Sequence, residues 1–275
     1  MLTTARAWLK TPLLALLAWP PFRRRAVYEL RQRYYPELSN VIPLSHNLEC
    51  PLLFPDAWAS FAETFVQQEY AAVFEHLPLP RRWLDLGCHA GFFSLYVTWR
   101  RALADQSDPG TALLIDADSR MRVSVRELIA RNRLDGRFEF VHGMIGAREG
   151  LQPFRERGFM ASSAAAYGAA NGVLTEIAVL TDPAITARLE PPYDLVKVDI
   201  EGGEYDFVSH YDGVLTGARA VLLEWHAGDP AGRDAGFVTN ELGLRGFELQ
   251  RSFPPTCRGD NDNGRQAGLM LFVRP

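Results

Sequence analysis

The chain has 275 residues, 47% of them hydrophobic, and a formal net charge of −4 at pH 7. That composition supports a sizeable core, and the charge balance excludes the global basic field on which nucleic-acid binding draws. Cys50, Cys88 and Cys257 are too few and too widely spaced for a disulfide framework or a zinc motif, which points to a reducing, cytoplasmic setting.

Near the N-terminus, Leu13–Trp19 is apolar, with Lys10 before it and Pro20-Pro21-Phe22-Arg23-Arg24-Arg25 after it. The run is too short to span a bilayer, and no small-residue cleavage site follows it. It reads as a helix docked on the rest of the protein. The alternative is peripheral membrane contact, with the arginines at anionic lipid. Trp58–Glu75 is the best helix of residues 1–80, with Phe61, Phe65, Tyr70 and Phe74 close to helical spacing and Pro78 and Pro80 stopping it. With no strand alternation, residues 1–80 read as an N-terminal helical extension that covers a site in a second region, 81–275.

From Arg81 onward strands and helices alternate. Trp83–Leu86 is a buried strand that breaks into Gly87-Cys88-His89-Ala90-Gly91, and Phe92 to about Arg101 is an amphipathic helix. Ala112–Ile115 is a strand ending in Asp116, and Ser119–Asn132 is the next helix. Phe138–Val141 is the third strand and runs into His142-Gly143-Met144. Val173–Leu180 is extended, Leu195–Ile200 is the fourth core strand and Ala220–Leu223 the fifth. A helix near Gly236–Leu244 precedes Phe247–Arg251 and Gly268–Val273, which pair as a terminal antiparallel hairpin. The alternation predicts an α/β, Rossmann-like fold: a mostly parallel sheet with helices on both faces and a C-terminal antiparallel hairpin. Ala161–Gly172 is rich in small residues and reads either as a lid over the site or as a surface loop.

Ligands in such sheets sit at the carboxyl ends of the strands, where the acids of this chain converge. Strand, glycine turn and helix form the first half of a nucleotide-binding unit, in which the glycines let the backbone approach a ligand. Asp85, at the end of an apolar strand, needs a cationic partner such as an amine. Asp116 ends the second strand, where an acid can accept hydrogen bonds from ribose hydroxyls. The turn G-C-H-A-G lacks the second and third glycines of G-x-G-x-x-G, which argues against a pyrophosphate and for S-adenosylmethionine. A second constellation is DLVKVDIEGGE, Asp194–Glu204, in which Lys197, Asp199 and Glu201 alternate and share one face. A structural Lys197–Asp199 ion pair is the competing reading. Glu224-Trp225-His226 follows at the next strand end.

Together these residues resemble the FkbM family of S-adenosylmethionine-dependent methyltransferases: Asp85-Leu86-Gly87, Gly91, Ser94, Asp116, Lys197-Val198-Asp199-Ile200-Glu201-Gly202 with Glu204, then Glu224 and His226. The resemblance covers about residues 82–226, and its most specific part is KVDIEGGE. His89 stands where the family usually has Asn, and Asp116-Ala117 where it usually has Glu-Pro. The resemblance implies a Rossmann-like methyltransferase fold and O-methylation, often of sugars or secondary metabolites.

The expected cofactor set is Asp85, Gly87, Cys88, His89, Gly91, Asp116, Ala117, Gly143, Met144 and Asp199. The expected catalytic set is His226 as general base with Asp199, Glu201, Lys197 and Glu224. The expected acceptor is a hydroxyl of a glycan, glycolipid or natural product. The rivals are an N-methyltransferase, an NAD-dependent oxidoreductase and a non-catalytic binding module. Asp199, Glu201, Glu224 and His226 could together hold a divalent metal. None is expected, because Lys197 already supplies positive charge.

Overall fold

The computed structural model describes residues 15–16, 18–35, 37–38, 40–54, 57–157, 163–164, 172–253, 256–257 and 266–275. Helix α1 (Pro20–Tyr34) starts on a proline pair, whose fixed φ suits a first helical turn. It is followed by a hairpin of β1 (Val41–Pro43) and β2 (Glu49–Pro51), and by α2 (Ala57–Phe61), which widens into a π-helical turn over Ala62–Val66. Then come β3 (Arg82–Leu86), α3 (Phe92–Leu103), β4 (Thr111–Asp116), α4 (Met121–Arg131) and β5 (Phe138–His142). The strands β6 (Leu151–Glu156), β7 (Ser163–Ala164) and β8 (Val173–Ala178) make a small antiparallel sheet of their own. The chain finishes with α5 (Asp182–Arg188), β9 (Leu195–Val198), α6 (Glu204–His210), α7 (Asp212–Gly217), β10 (Ala220–His226), α8 (Ala235–Leu244), β11 (Glu248–Ser252), β12 (Thr256–Cys257) and β13 (Gln266–Val273).

The main sheet has the order β11-β13-β10-β9-β3-β4-β5, with β12 paired to β13. Strands β3, β4, β5, β9 and β10 are parallel, and β13 runs antiparallel between β10 and β11. This is the Rossmann-like fold with a C-terminal antiparallel hairpin that the alternation predicts. The chain steps outward from β3 to β5, then returns to the other side of β3 through β9. The carboxyl ends of β3 and β9 therefore flank the point where strand order reverses. Beyond Arg82 at its start, β3 and β9 are apolar on both faces apart from Asp85 and Lys197, because α3, α4 and aromatic side chains cover one face and α5–α8 the other.

Three features of the fold depart from the sequence reading. First, the expected single helix over Trp58–Glu75 breaks after Val66. Phe65 and Tyr70 are five residues apart, more than one helical turn, so a regular helix could not put both on one wall. The π turn and a left-handed Gln68 (φ 54°) absorb the extra residue. Phe65, Tyr70 and Phe74 then all reach Tyr96 of α3, at centroid distances of 5.9, 6.2 and 6.3 Å. Second, residues 1–80 do contain strands, β1 and β2, each too short to show alternation. Third, the extended Val173–Leu180 segment supplies β8, whose partner β6 escapes detection because it contains Pro153 and buries only Phe154.

The expected lid over Ala161–Gly172 falls outside the described residues apart from Ser163, Ala164 and Gly172, as do Leu13, Leu14 and Leu17 of the N-terminal run. No helix among the described residues is long and apolar enough to cross a membrane.

Candidate functional site

A cleft opens at the carboxyl ends of the parallel strands. Its floor is the turn Gly87–Ala90. One wall comes from Asp116–Asp118 and Gly143–Ile145, and the opposite wall from Lys197, Asp199 and Glu201. The turn is fixed by backbone bonds: the Gly87 and Cys88 N–H groups both donate to the Ile115 carbonyl, at 2.9 and 3.0 Å. Gly87 has φ 73°, and a Cβ there would lie 1.7 Å from the Asp199 carbonyl oxygen. At Gly91 (φ 79°) a Cβ would press on Leu114 at 3.3 Å. Both glycines are thus demanded by the protein's own close approaches, between neighbouring strand exits and between helix and sheet. Gly91 does not line the cleft.

Asp116 does face the cleft. Its Oδ2 accepts from the His89 N–H at 2.6 Å and its Oδ1 from the Asp118 N–H at 2.7 Å. Each oxygen keeps a further acceptor position. Burial raises the carboxyl to about 7, outweighing the two N–H donors that pull it down. Burial likewise lowers His89 to about 4, so its imidazole is neutral, with its ring edge-on to Phe54 at 4.8 Å. The Cys88 thiol is pushed up by burial and by Asp116, so it stays protonated. Gly143 and Met144 line the wall. Met144 bonds across to Ala178 and Leu180, tying the small sheet to the main one.

Asp85 lies behind the cleft rather than in it. It is fully buried and paired in register with Lys197 across β3 and β9. Its Oδ2 accepts from the Ser94 hydroxyl at 2.7 Å, and Ser94 in turn accepts from the Trp83 indole N–H at 3.0 Å. Its Oδ1 is 3.5 Å from Lys197 Nζ. The cation that Asp85 needs is therefore Lys197, not a ligand amine. Lys197 donates to the Gly87 carbonyl at 2.8 Å and lies 3.5 Å from Asp199 Oδ2. Burial would lower its ammonium, but Asp199 and Asp85 outweigh that and hold it above its ordinary range.

His226 and Glu224 also stand outside the lining, one layer behind Asp199 and Glu201. Nδ1 of His226 is 2.7 Å from Oε1 of Glu204, a fully buried carboxylate whose two oxygens also accept from the Gly202 N–H. Nε2 lies 3.5 Å from Glu201 and 3.8 Å from Glu224. Burial would lower the imidazole, but Glu201 and Glu204 push it up to about 10. His226 therefore departs from the expected general-base geometry: it lies outside the cleft lining, and its Nδ1 is held by Glu204.

Sequence reasoning missed several lining residues. Glu63, Glu69 and Tyr70 reach the cleft from the π-helical region, and burial together with Glu63 raises Glu69 to about 7. Their signal was a pair of acids inside an aromatic stretch. Asp118 lines the wall and is clamped by Arg120, whose Nε donates to Oδ1 at 2.7 Å. Phe154 arrives from β6, which carried no usable pattern.

No family model matches the chain, and no curated protein sequence matches it. Similar solved structures include a precorrin-6y methyltransferase from Geobacter metallireducens, at 11% identity and TM-score 0.43, covering 76% of this chain and 88% of that one. An O-methyltransferase from Bacillus cereus in complex with SAH matches at 12% identity and TM-score 0.41, covering 76% and 81%. The B. subtilis tRNA methyltransferase TrmK matches at 9% identity and TM-score 0.40, covering 74% of this chain and 64% of that one. Likeness at this level leaves the activity to the chemistry of the cleft.

Proposed function

We propose that this chain is an S-adenosylmethionine-dependent O-methyltransferase acting on a hydroxyl of a small-molecule or glycan acceptor, with residues 1–80 as a cap on the catalytic region 81–275. The observation that carries the reading is the charge of the cleft. Glu63, Glu69, Asp116, Asp118, Asp199 and Glu201 line it, beside the ammonium of Lys197. A cofactor bearing a sulfonium and an ammonium favours the ionised form of these acids, including Glu69 and Asp116, which burial raises to about 7, whereas the pyrophosphate of a dinucleotide opposes it.

The residues fit such a group. The acceptor positions left on Asp116 suit a ribose diol, and Met144, Ile115 and Phe154 offer an apolar wall for a purine. When bound, the cofactor supplies an electrophilic methyl group. The chain then has to align the acceptor and take its proton. Asp199 and Glu201, which reach the cleft, are assigned that proton. Lys197 fixes Asp199, and Asp85 fixes Lys197. The resemblance of the KVDIEGGE segment to the FkbM family agrees with this assignment.

Incubation of the full chain with methyl-labelled S-adenosylmethionine and a panel of hydroxyl and amine acceptors tests the reading. Label should move to a hydroxyl. Transfer to an amine alone would replace it with N-methylation.

A further inference from the structure

Behind the acidic wall, Glu224 and His226, to which the methyl-transfer reading gives no role, come together with Asp199. Glu224 and His226 are two residues apart on β10 and so share a face. Asp199 leaves the neighbouring strand β9, whose Val198 is paired with Leu223. One ligand atom from each of Asp199, Glu224 and His226 lies within 4.8 Å of the others. Three ligands about 2.1 Å from one ion stand about 3.4–3.6 Å apart, so atoms at the 4.8 Å limit would close in by about 1 Å, within reach of side-chain rotation.

The second observation is the histidine itself. His226 is 7% exposed, and its Nε2 is buried without a hydrogen-bond partner. Nδ1 is committed to Glu204, which the Gly202 N–H holds in turn. A carboxylate that orients one imidazole nitrogen while the other faces carboxylate oxygens is the usual support of a metal-bound histidine. An imidazole lone pair and carboxylate oxygens aimed at one another repel unless a cation lies between them.

We infer that Asp199 and Glu224, with Nε2 of His226, form a binding site for a divalent metal ion, and that Glu204 is its positioning residue. Two carboxylates and one imidazole suit a borderline cation of the Mn2+ to Zn2+ series better than Ca2+. Because Asp199 belongs to both the cluster and the cleft, the ion would border the cleft from behind its wall. The site stands on this cluster alone and does not depend on which cofactor the cleft takes.

The test is titration of chelator-treated full chain with Mn2+, followed by calorimetry and by pulsed electron paramagnetic resonance of the bound ion. One ion per chain should bind, and its spectrum should show coupling to an imidazole nitrogen. Glu204→Gln should weaken binding about 10- to 100-fold. Asp199→Asn, at a partly exposed position, should weaken it with the fold intact by circular dichroism. No saturable Mn2+ binding would overturn the inference and leave a proton as the cation at Nε2. So would bound Mn2+ without nitrogen coupling, or Asp199→Asn binding as tightly as wild type. S-adenosylmethionine titrated into the same metal-free protein keeps failure of this inference separate from failure of the cofactor reading.

Discussion

The two walls of the cleft hold their carboxylates by different means. On the β4 side, Asp116 is held by backbone N–H groups of His89 and Asp118, so the main chain does the fixing. On the β9–β10 side, Asp85, Lys197 and Asp199 hold one another through side chains, as do His226 and Glu204. The first arrangement leaves a carboxylate available to a ligand at small structural cost. The second binds function to folding, because removing one partner strands a buried charge.

Lys197→Met breaks the second wall most directly. Removing the ammonium leaves Asp85 buried and uncompensated, and breaking such a pair costs about 3–5 kcal/mol. Chemical denaturation should show that loss, and the double variant with Asp85→Asn should recover much of it. Equal stability of the single variant and wild type would mean that the pair contributes nothing to the fold.

Gly87→Ala tests the junction between the walls. The left-handed φ costs about 1–2 kcal/mol for a non-glycine residue, and the added Cβ would also strike the Asp199 carbonyl. The expected loss is at least about 2 kcal/mol in the same denaturation assay. An unchanged midpoint would show that the strand exits can move apart freely.

Asp116→Ala probes the first wall. Losing charge-assisted hydrogen bonds to a ribose should weaken S-adenosylmethionine about 10- to 100-fold by calorimetry, with less loss of stability than Lys197→Met. Affinity equal to wild type would remove Asp116 from the site.

The smallest effect is a pH dependence. Burial favours the neutral form of Asp116 in the ligand-free protein, raising it to about 7. A ligand that needs the ionised form binds more tightly as pH rises through that value, by roughly tenfold between pH 6 and 8. For the ligand-free fold the sign is opposite. The neutral carboxyl stabilises at acid pH, and that contribution is lost as pH rises through about 7. Asp116→Asn should flatten the binding profile.

What the sequence made legible divides along the same line. Strand ends, the glycine turn and the positions of Asp116, Lys197 and Asp199 follow from period-2 patterning and strand order, which are local properties. The partner of Asp85 was misassigned because its nearest cation, Lys197, is more than a hundred residues away and meets it only through parallel register. The protonation of His226 depends on Glu204, which reads from sequence as one more acid at a helix start. Glu63 and Glu69 escape the sequence reading because the expected helix breaks at a π turn and a left-handed Gln68, which re-aims the acids of that aromatic stretch into the cleft.

Isothermal titration of the full chain with S-adenosylmethionine, and separately with NAD, measures the central claim most directly. The acidic cleft predicts saturable binding of S-adenosylmethionine at one site per chain and none of the pyrophosphate cofactor. Binding of NAD in preference to S-adenosylmethionine would contradict it.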